Sequence, residues 1–446
     1  MRQLFREQLP LAGPVVDHPH ARDLERMDRI LREQPGIAAL VLQDLQRGVR
    51  VPAGGRGGMT AEQVVRAALL KQGHSWTYEE LTFHLADSLS YRSFCGIGVL
   101  GKAPGRGTLQ RNIKRIEERT WEAINRILLG VAAARGVEDG RKVRTDGTVT
   151  AANIHPPTDA SLLWDCVRVL ARLLQQAHKA CGVTRVPDRQ RRAKRRSLAI
   201  LNAKTERKRR SLYRDLLGVT EEMLAYSGKA VAELEARGTL PAAVAFGAQL
   251  RHYAILTAAV IDQTERRVLR GEAVPAGEKF VSIFEEHTDI IVKDRRDTHY
   301  GHKVTLSAGG SGLILDWVVE EGNPADATVV IRSIERLKAI YGRVPRQMAF
   351  DGCYASRSNL LEAKALGVQD IAFSKKRSLE VLAMAKSEWV YKRLTNFRAG
   401  IEAWISFLKR CFGLERCSWR GASGFARYVG ASMVAANLLT LARRLE

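Results

Sequence analysis

The sequence predicts an α/β core, preceded by an all-α head and interrupted by a large helical insertion after its first strand. Three observations predict it. Residues 276–375 switch to period-2 patterning, with short helical stretches between the apolar runs. A strand-like run rich in β-branched residues, Lys142–Thr150, lies more than a hundred residues upstream. Between them, residues 162–275 read as helices with dense basic runs.

Composition narrows the partner. The chain has 446 residues, enough for two or three domains, and 45% are hydrophobic. Lys and Arg number 71 against 48 Asp and Glu, a formal net charge of +23. Such an excess favours a polyanion, most simply nucleic acid. No apolar run approaches the ~18 residues of a spanning helix, and the stretch MRQLFREQLPLAGPVV lacks a signal-peptide core. The six cysteines show no CxxC pair, which suits a reduced, cytoplasmic protein with free thiols.

The head is expected in two parts, an N-terminal helical or flexible segment over 1–58 and a helical domain over 59–140. Pro10, Pro14 and the PAGGRGG stretch at 52–58 punctuate its start. Thr60 with Gln63, and Thr77 with Glu80, form capping boxes before apolar runs. Thr108 is expected to cap a third helix holding Leu109, Ile113 and Ile116, with Arg111, Lys114 and Arg115 on its other faces. A short turn followed by a basic helix suggests a helix-turn-helix-like DNA reader; an ordinary bundle with a solvated basic face is the alternative.

The strand Lys142–Thr150 places Asp146 beside Gly147, where backbone or ligand can approach closely. Asn153, His155 and Asp159 follow as possible supports for Asp146, and Thr158 or Asp159 as the next helix cap. In the insertion, Arg192, Arg195 and Arg196 belong to the run Arg189–Arg196 and are expected to meet phosphates. Beyond it, Lys279–Phe284 reads as a strand. Tyr300–Ser307 and Leu313–Val319 read as a hairpin about a glycine-rich turn. Arg346–Phe350 is a strand ending in Asp351, and Val368–Phe373 is another. In the hairpin, His302 and Lys303 are candidates for DNA contact or for sheet support. Trp164 and Trp317 are candidates for base stacking or core packing.

Near the C-terminus, Arg398, Glu402 and Lys409 share one helix face beside an apolar stripe of Ile401, Trp404, Ile405, Leu408 and Phe412. Asp146, Asp351 and Glu402 together suit two-metal phosphodiester chemistry, in which carboxylates hold two Mg²⁺ ions roughly 4 Å apart. Hard oxygen ligands suit Mg²⁺ and equally Mn²⁺. Arg398 and Lys409 would then bind phosphates flanking the cut.

These motifs resemble the bacterial insertion-sequence DDE transposases, from about Met59 to the end. Thr145-Asp146-Gly-Thr resembles the family's first acid and Phe350-Asp351-Gly-Cys-Tyr its second. His299-Tyr-Gly-His302-Lys303 and Gly322-Asn-Pro resemble its hairpin region. Arg398-x3-Glu402-x6-Lys409 fits the last three residues of the Y-R-E-K signature, whose tyrosine position holds Thr395 here. The long insertion resembles the ISNCY-like branch. The resemblance implies a ribonuclease-H-like catalytic domain over 141–161 and 276–446, interrupted by the basic insertion 162–275. It implies Mg²⁺-dependent cleavage at terminal inverted repeats, joining of 3′-OH ends to target double-stranded DNA, and a homodimer or larger assembly on paired ends. The rival readings are a nuclease of the same fold without strand transfer, and a non-catalytic regulator descended from a transposase.

Overall fold

The computed structural model describes residues 4, 17–48, 57–98, 100–238, 240–293, 297–375 and 377–445. Pro10, Pro14 and most of the PAGGRGG stretch lie outside the described residues. The chain forms two units, one of Met1–Ala152 with Gly301–Glu446 and the other of Asn153–Tyr300.

Among the described residues, the first unit begins with seven helices. They are α1 (Pro19–Glu33), α2 (Gly36–Gln46), α3 (Ala61–Gly73), α4 (Tyr78–Asp87), α5 (Leu89–Phe94), α6 (Arg106–Ile113) and α7 (Glu118–Ala134). Both expected capping boxes are present: Thr60 and Gln63 open α3, and Thr77 and Glu80 open α4. Thr108 does not cap the basic helix, because α6 starts two residues earlier with Gly105 as its cap. Strand β1 (Lys142–Ala151) follows.

The second unit holds α8 (Asp159–Cys181), α9 (Gln190–Leu201), α10 (Glu206–Glu235), α11 (Pro241–Thr264) and β2 (Asp289–Lys293). Thr158, not Asp159, caps α8. The four helices enclose their own core, built on Leu163, Leu170, Leu216, Met223, Leu250 and Val260. Residues 280–284 are irregular rather than a strand, because the Gln263 side chain takes the Phe280 N–H (2.7 Å) and the Ser282 hydroxyl takes the N–H groups of Phe284 and Glu285. The helical insertion expected over 162–275 lies within this unit.

The chain continues through β3 (Asp297–Gly309), β4 (Ile314–Val319), α12 (Val330–Tyr341), β5 (Gln347–Phe350), α13 (Arg357–Ala365) and β6 (Asp370–Phe373). It ends in α14 (Val381–Met384), α15 (Glu388–Cys411) and α16 (Ala422–Arg444). The sheet of the first unit runs β4-β3-β1-β5-β6. β3 is antiparallel to both β4 and β1, whereas β1, β5 and β6 are parallel. The mixed order follows from the connections: a tight turn joins β3 to β4, and helices join β5 to β6.

The head helices and this sheet share one apolar core, from Leu24 and Leu69 through Leu306 and Phe350 to Leu438. α16 sits at its centre, against α1, α3, α7 and β4. There Asn437 accepts from the Ile314 N–H (2.8 Å) and donates to Asn125 (2.6 Å) and to the Ile314 carbonyl. The expected head and the strands after it are thus one packed body, not separate cores. Two helical stretches, Pro241–Leu269 and Ala422–Arg444, are long and apolar enough to cross a membrane by length and composition, contrary to expectation; 28% and 89% of their apolar windows are buried within the protein.

Candidate active site

Register brings the two aspartates together. In the parallel pair β1–β5, Thr145 is the partner of Phe350, so the next residues, Asp146 and Asp351, emerge side by side where β5 ends. The same step applies between β5 and β6, where Phe350 pairs with Phe373. It sets Ser374 beside Asp351, and the Ser374 hydroxyl donates to the Asp351 carboxylate at 2.6 Å. Sequence reasoning missed Ser374, although aligning the two parallel strands would have found it.

Helix α15 carries the third acid across this edge of the sheet, packed on β1, β5 and β6. Its approach is fixed by two glycines. A Cβ on Gly400 would lie 2.1 Å from the Arg144 guanidinium of β1, which donates to the Phe397 carbonyl at 2.9 Å. A Cβ on Gly312, in the β3–β4 turn at φ +90°, would lie 2.0 Å from Trp404. After α15, Ala151 of β1 takes up the chain again, donating to the Glu415 carbonyl (3.0 Å) and accepting from Cys417 (2.8 Å).

At the centre stands Arg398. Its guanidinium donates to Asp146 at 2.8 Å and to Glu402 at 2.8 Å, and lies 3.6 Å from Asp351. Three carboxylates from β1, the end of β5 and α15 therefore meet one cation. Burial disfavours the charged form of Asp351, but the Ser374 hydroxyl, the Gly352 N–H and the charges of Arg398 and Lys375 outweigh it and hold the carboxyl below its usual range. Burial also opposes the charge on Arg398; Asp146, Asp351 and Glu402 overcome it and raise its pKa. The side chains of Arg398 and Asp146 are 15% and 16% exposed, whereas Glu402 is 66% exposed, so the helix acid is the one that faces solvent. The buried Tyr354 hydroxyl beside Gly147 has no hydrogen-bond partner among the described residues.

The other candidates divide. Lys409 pairs with Glu415 at 3.3 Å. Lys303 is buried and bonds to Asp326 and the Pro324 carbonyl (2.9 Å), and His302 is buried edge-on against Phe425 at 4.7 Å. Neither side chain is exposed. Tyr391, one turn before Thr395, is buried with its hydroxyl on the Phe373 carbonyl (2.8 Å), and Thr395 bonds back to the Tyr391 carbonyl. On the head, Arg111 is exposed and Arg115 bonds to the Arg47 carbonyl; both line a hollow of about 390 Å³ with Thr108. Lys114 is half-buried, and its carbonyl accepts from Arg427 at 2.7 Å.

In the second unit, Arg192 and Arg196 both bond to Asp215, and Arg192 and Arg195 are exposed. His155 bonds to Asp165 at 2.8 Å, and Asp159 accepts from Arg267 at 2.9 Å and Gln263 at 3.2 Å. Trp317 is buried in the first core, and Trp164 packs on the second.

The carboxylate set fits a hard divalent cation in kind, being all oxygen and net negative. Among the described residues, however, no group of three or more His, Cys, Asp or Glu side chains stands arranged to hold a metal. The cation now between the acids is the Arg398 guanidinium.

Residues 278–438 match the family model of the transposase DDE domain, a span that includes Asp351, Arg398 and Glu402 and starts after Asp146. The match supports a DDE transposase. A domain of this family suggests metal-dependent nuclease or transposase activity and implies DNA partners, and the mixed sheet is consistent with a ribonuclease-H-like core. No curated protein and no solved structure matches the chain.

Proposed function

We propose that the chain is a metal-dependent transposase of the Y-R-E-K, ISNCY-like kind, which binds the terminal inverted repeats of its element, cuts there and joins the ends to target DNA. The observation that carries this reading is the meeting of Asp146, Asp351 and Glu402 around Arg398, from three elements far apart in sequence. Asp146, Asp351 and Glu402 would hold Mg²⁺ or Mn²⁺, two ions in all, which when bound lower the pKa of an attacking water or hydroxyl and stabilise the leaving oxygen.

The chain's own residues have the remaining tasks. Ser374 and the Gly352 N–H keep Asp351 ionised and oriented. Arg398 holds the acids together against their mutual repulsion, and its guanidinium would be placed to clamp a phosphate beside the scissile bond. Glu402, the most exposed of the three, would be the acid that meets solvent and an incoming ion first. The exposed Arg111 and Arg195 contact DNA, and the active form is a homodimer or larger on paired ends.

The test is cleavage of a labelled duplex carrying the element's end, with Mg²⁺ and with EDTA, by wild type and Glu402→Gln. Metal-dependent cutting that the variant loses supports the reading. Tight end binding without cutting under any divalent metal overturns it in favour of a regulator, and cutting without strand transfer marks a nuclease.

A further inference from the structure

The strands β1 and β5 start at Lys142 and Gln347, at the opposite end of the sheet from Asp146 and Asp351. Four residues of strand separate Lys142 from Asp146, about 13 Å. Here the first turns of α15 leave an open groove of about 330 Å³. Arg141, Lys142, Arg346, Lys386 and Arg393 line it, together with Trp389, and no carboxylate does.

Little in the fold neutralises these cations. Among the described residues, Arg141 alone of the five has a carboxylate partner, Asp139 at 3.5 Å. Lys142 lies over the Phe397 ring at 4.3 Å and Arg393 over Trp389 at 5.1 Å. Arg346 donates to the Gln369 amide. Asp370, next to the groove, is buried, and both its oxygens are taken by the Lys386 N–H and the Gln347 amide. Burial and the nearby charges of Arg393 and Arg144 depress the Lys142 ammonium, the mark of cations crowded without a counter-ion. Trp389 is 66% exposed, a large ring that folding leaves in water. A row of cations, four of the five without a carboxylate partner among the described residues, beside an exposed indole is the surface that a sugar-phosphate chain covers: phosphates take the charges and a sugar or frayed base takes the ring.

The groove also lies at a useful distance. Trp389 precedes Glu402 by 13 residues on one continuous helix, about 20 Å along its axis. Duplex DNA covers that length in about six base pairs at ~3.4 Å each.

We propose that this groove is a second DNA site, gripping the backbone of the duplex about six base pairs from the acid cluster; the assignment rests on the DNA-cutting reading above. It contributes affinity and register without reading sequence, because phosphates carry none.

The experiment measures binding of the full chain to a 30-base-pair duplex of arbitrary sequence by fluorescence anisotropy across a salt series. The variants are Lys386→Ala/Arg393→Ala and, as control, Lys338→Ala/Arg357→Ala, all four residues being exposed. The groove variant is expected to flatten the log–log salt slope by about 1.8, at ~0.9 for each phosphate no longer neutralised, and the control to leave it unchanged. In parallel, duplex should quench part of the tryptophan fluorescence of wild type, and Trp389→Phe should lose that part. Equal slopes for the two variants, with wild type still binding the duplex, overturn the groove and leave the DNA-cutting reading standing. A groove variant that loses affinity for heparin but not for duplex overturns the DNA assignment of the groove. Absence of any salt-dependent duplex binding by wild type overturns both.

Discussion

Around Arg398 one guanidinium meets three carboxylates; around Asp215 one carboxylate meets two guanidinium groups. Both are arginine–carboxylate clusters, yet their imbalance has opposite sign. The first, in the sheet unit, keeps a surplus of negative charge on oxygen atoms and is suited to take up cations. The second, on α9 and α10, keeps a surplus of positive charge and is suited to phosphate. Counting charged residues would rate both as ion-pair networks. The ratio within each cluster separates a candidate reaction centre from a candidate gripping surface.

The largest effect is expected from removing the surplus at the first cluster. Asp146→Asn, Asp351→Asn and Glu402→Gln should each lower strand cleavage at least ~10²-fold while leaving end binding within twofold, read from single-turnover cleavage and gel shifts. A variant that cuts at the wild-type rate removes its residue from the site.

Next in size is removal of the resident cation. Arg398→Gln leaves three carboxylates facing one another, so the thermal midpoint should fall by several degrees in EDTA, at ~2–4 °C per kcal/mol for a body of this size. Mg²⁺ or Mn²⁺ should restore it, with a larger gain than in wild type, because the metal no longer competes with the guanidinium. A variant insensitive to divalent ions would show that these acids do not hold metal.

The sheet and its acids were largely legible in the sequence, and the causes are local. The β-branched run around Asp146 and the apolar run before Asp351 each specify a strand, and α15 follows from its 3.6-residue stripe. Partners were less legible, because a partner depends on register and packing. The sequence leaves Lys303 and His302 open between DNA contact and sheet support; β3 is flanked by strands on both sides, and Asp326 and Phe425 close over them. Arg192 and Arg196 looked like free charges until α10 turned Asp215 toward them. The separation of Trp389 and Arg393 from Glu402 along α15 was readable, but the groove they form with Lys142 needed the sheet.

The second cluster gives a smaller effect. Arg195→Ala should flatten the salt slope of duplex binding by ~0.9, whereas Arg192→Ala should change it less, since Asp215 already neutralises that side chain. Asp215→Asn should steepen the slope by releasing two cations. Equal slopes for Arg195→Ala and Arg192→Ala would mean that the pairing with Asp215 does not limit DNA contact.

The smallest effect lies in the head, outside both clusters. His74 stacks on Trp76 at 4.3 Å and meets His20 edge-on at 4.9 Å. Burial, with the neighbouring His20 and His84, lowers its pKa from 6.5 to about 4. The folded state thus favours neutral His74, and the unfolded chain binds its proton first as pH falls. Stability from this residue is complete above about pH 6.5 and drains away between there and pH 4. The thermal midpoint of wild type should therefore drop between pH 7 and pH 5 by more than that of His74→Gln, which has no proton to gain. Parallel midpoint curves for the two proteins would show that His74 is not the group that charges, and would shift attention to His20, whose pKa is also lowered by burial.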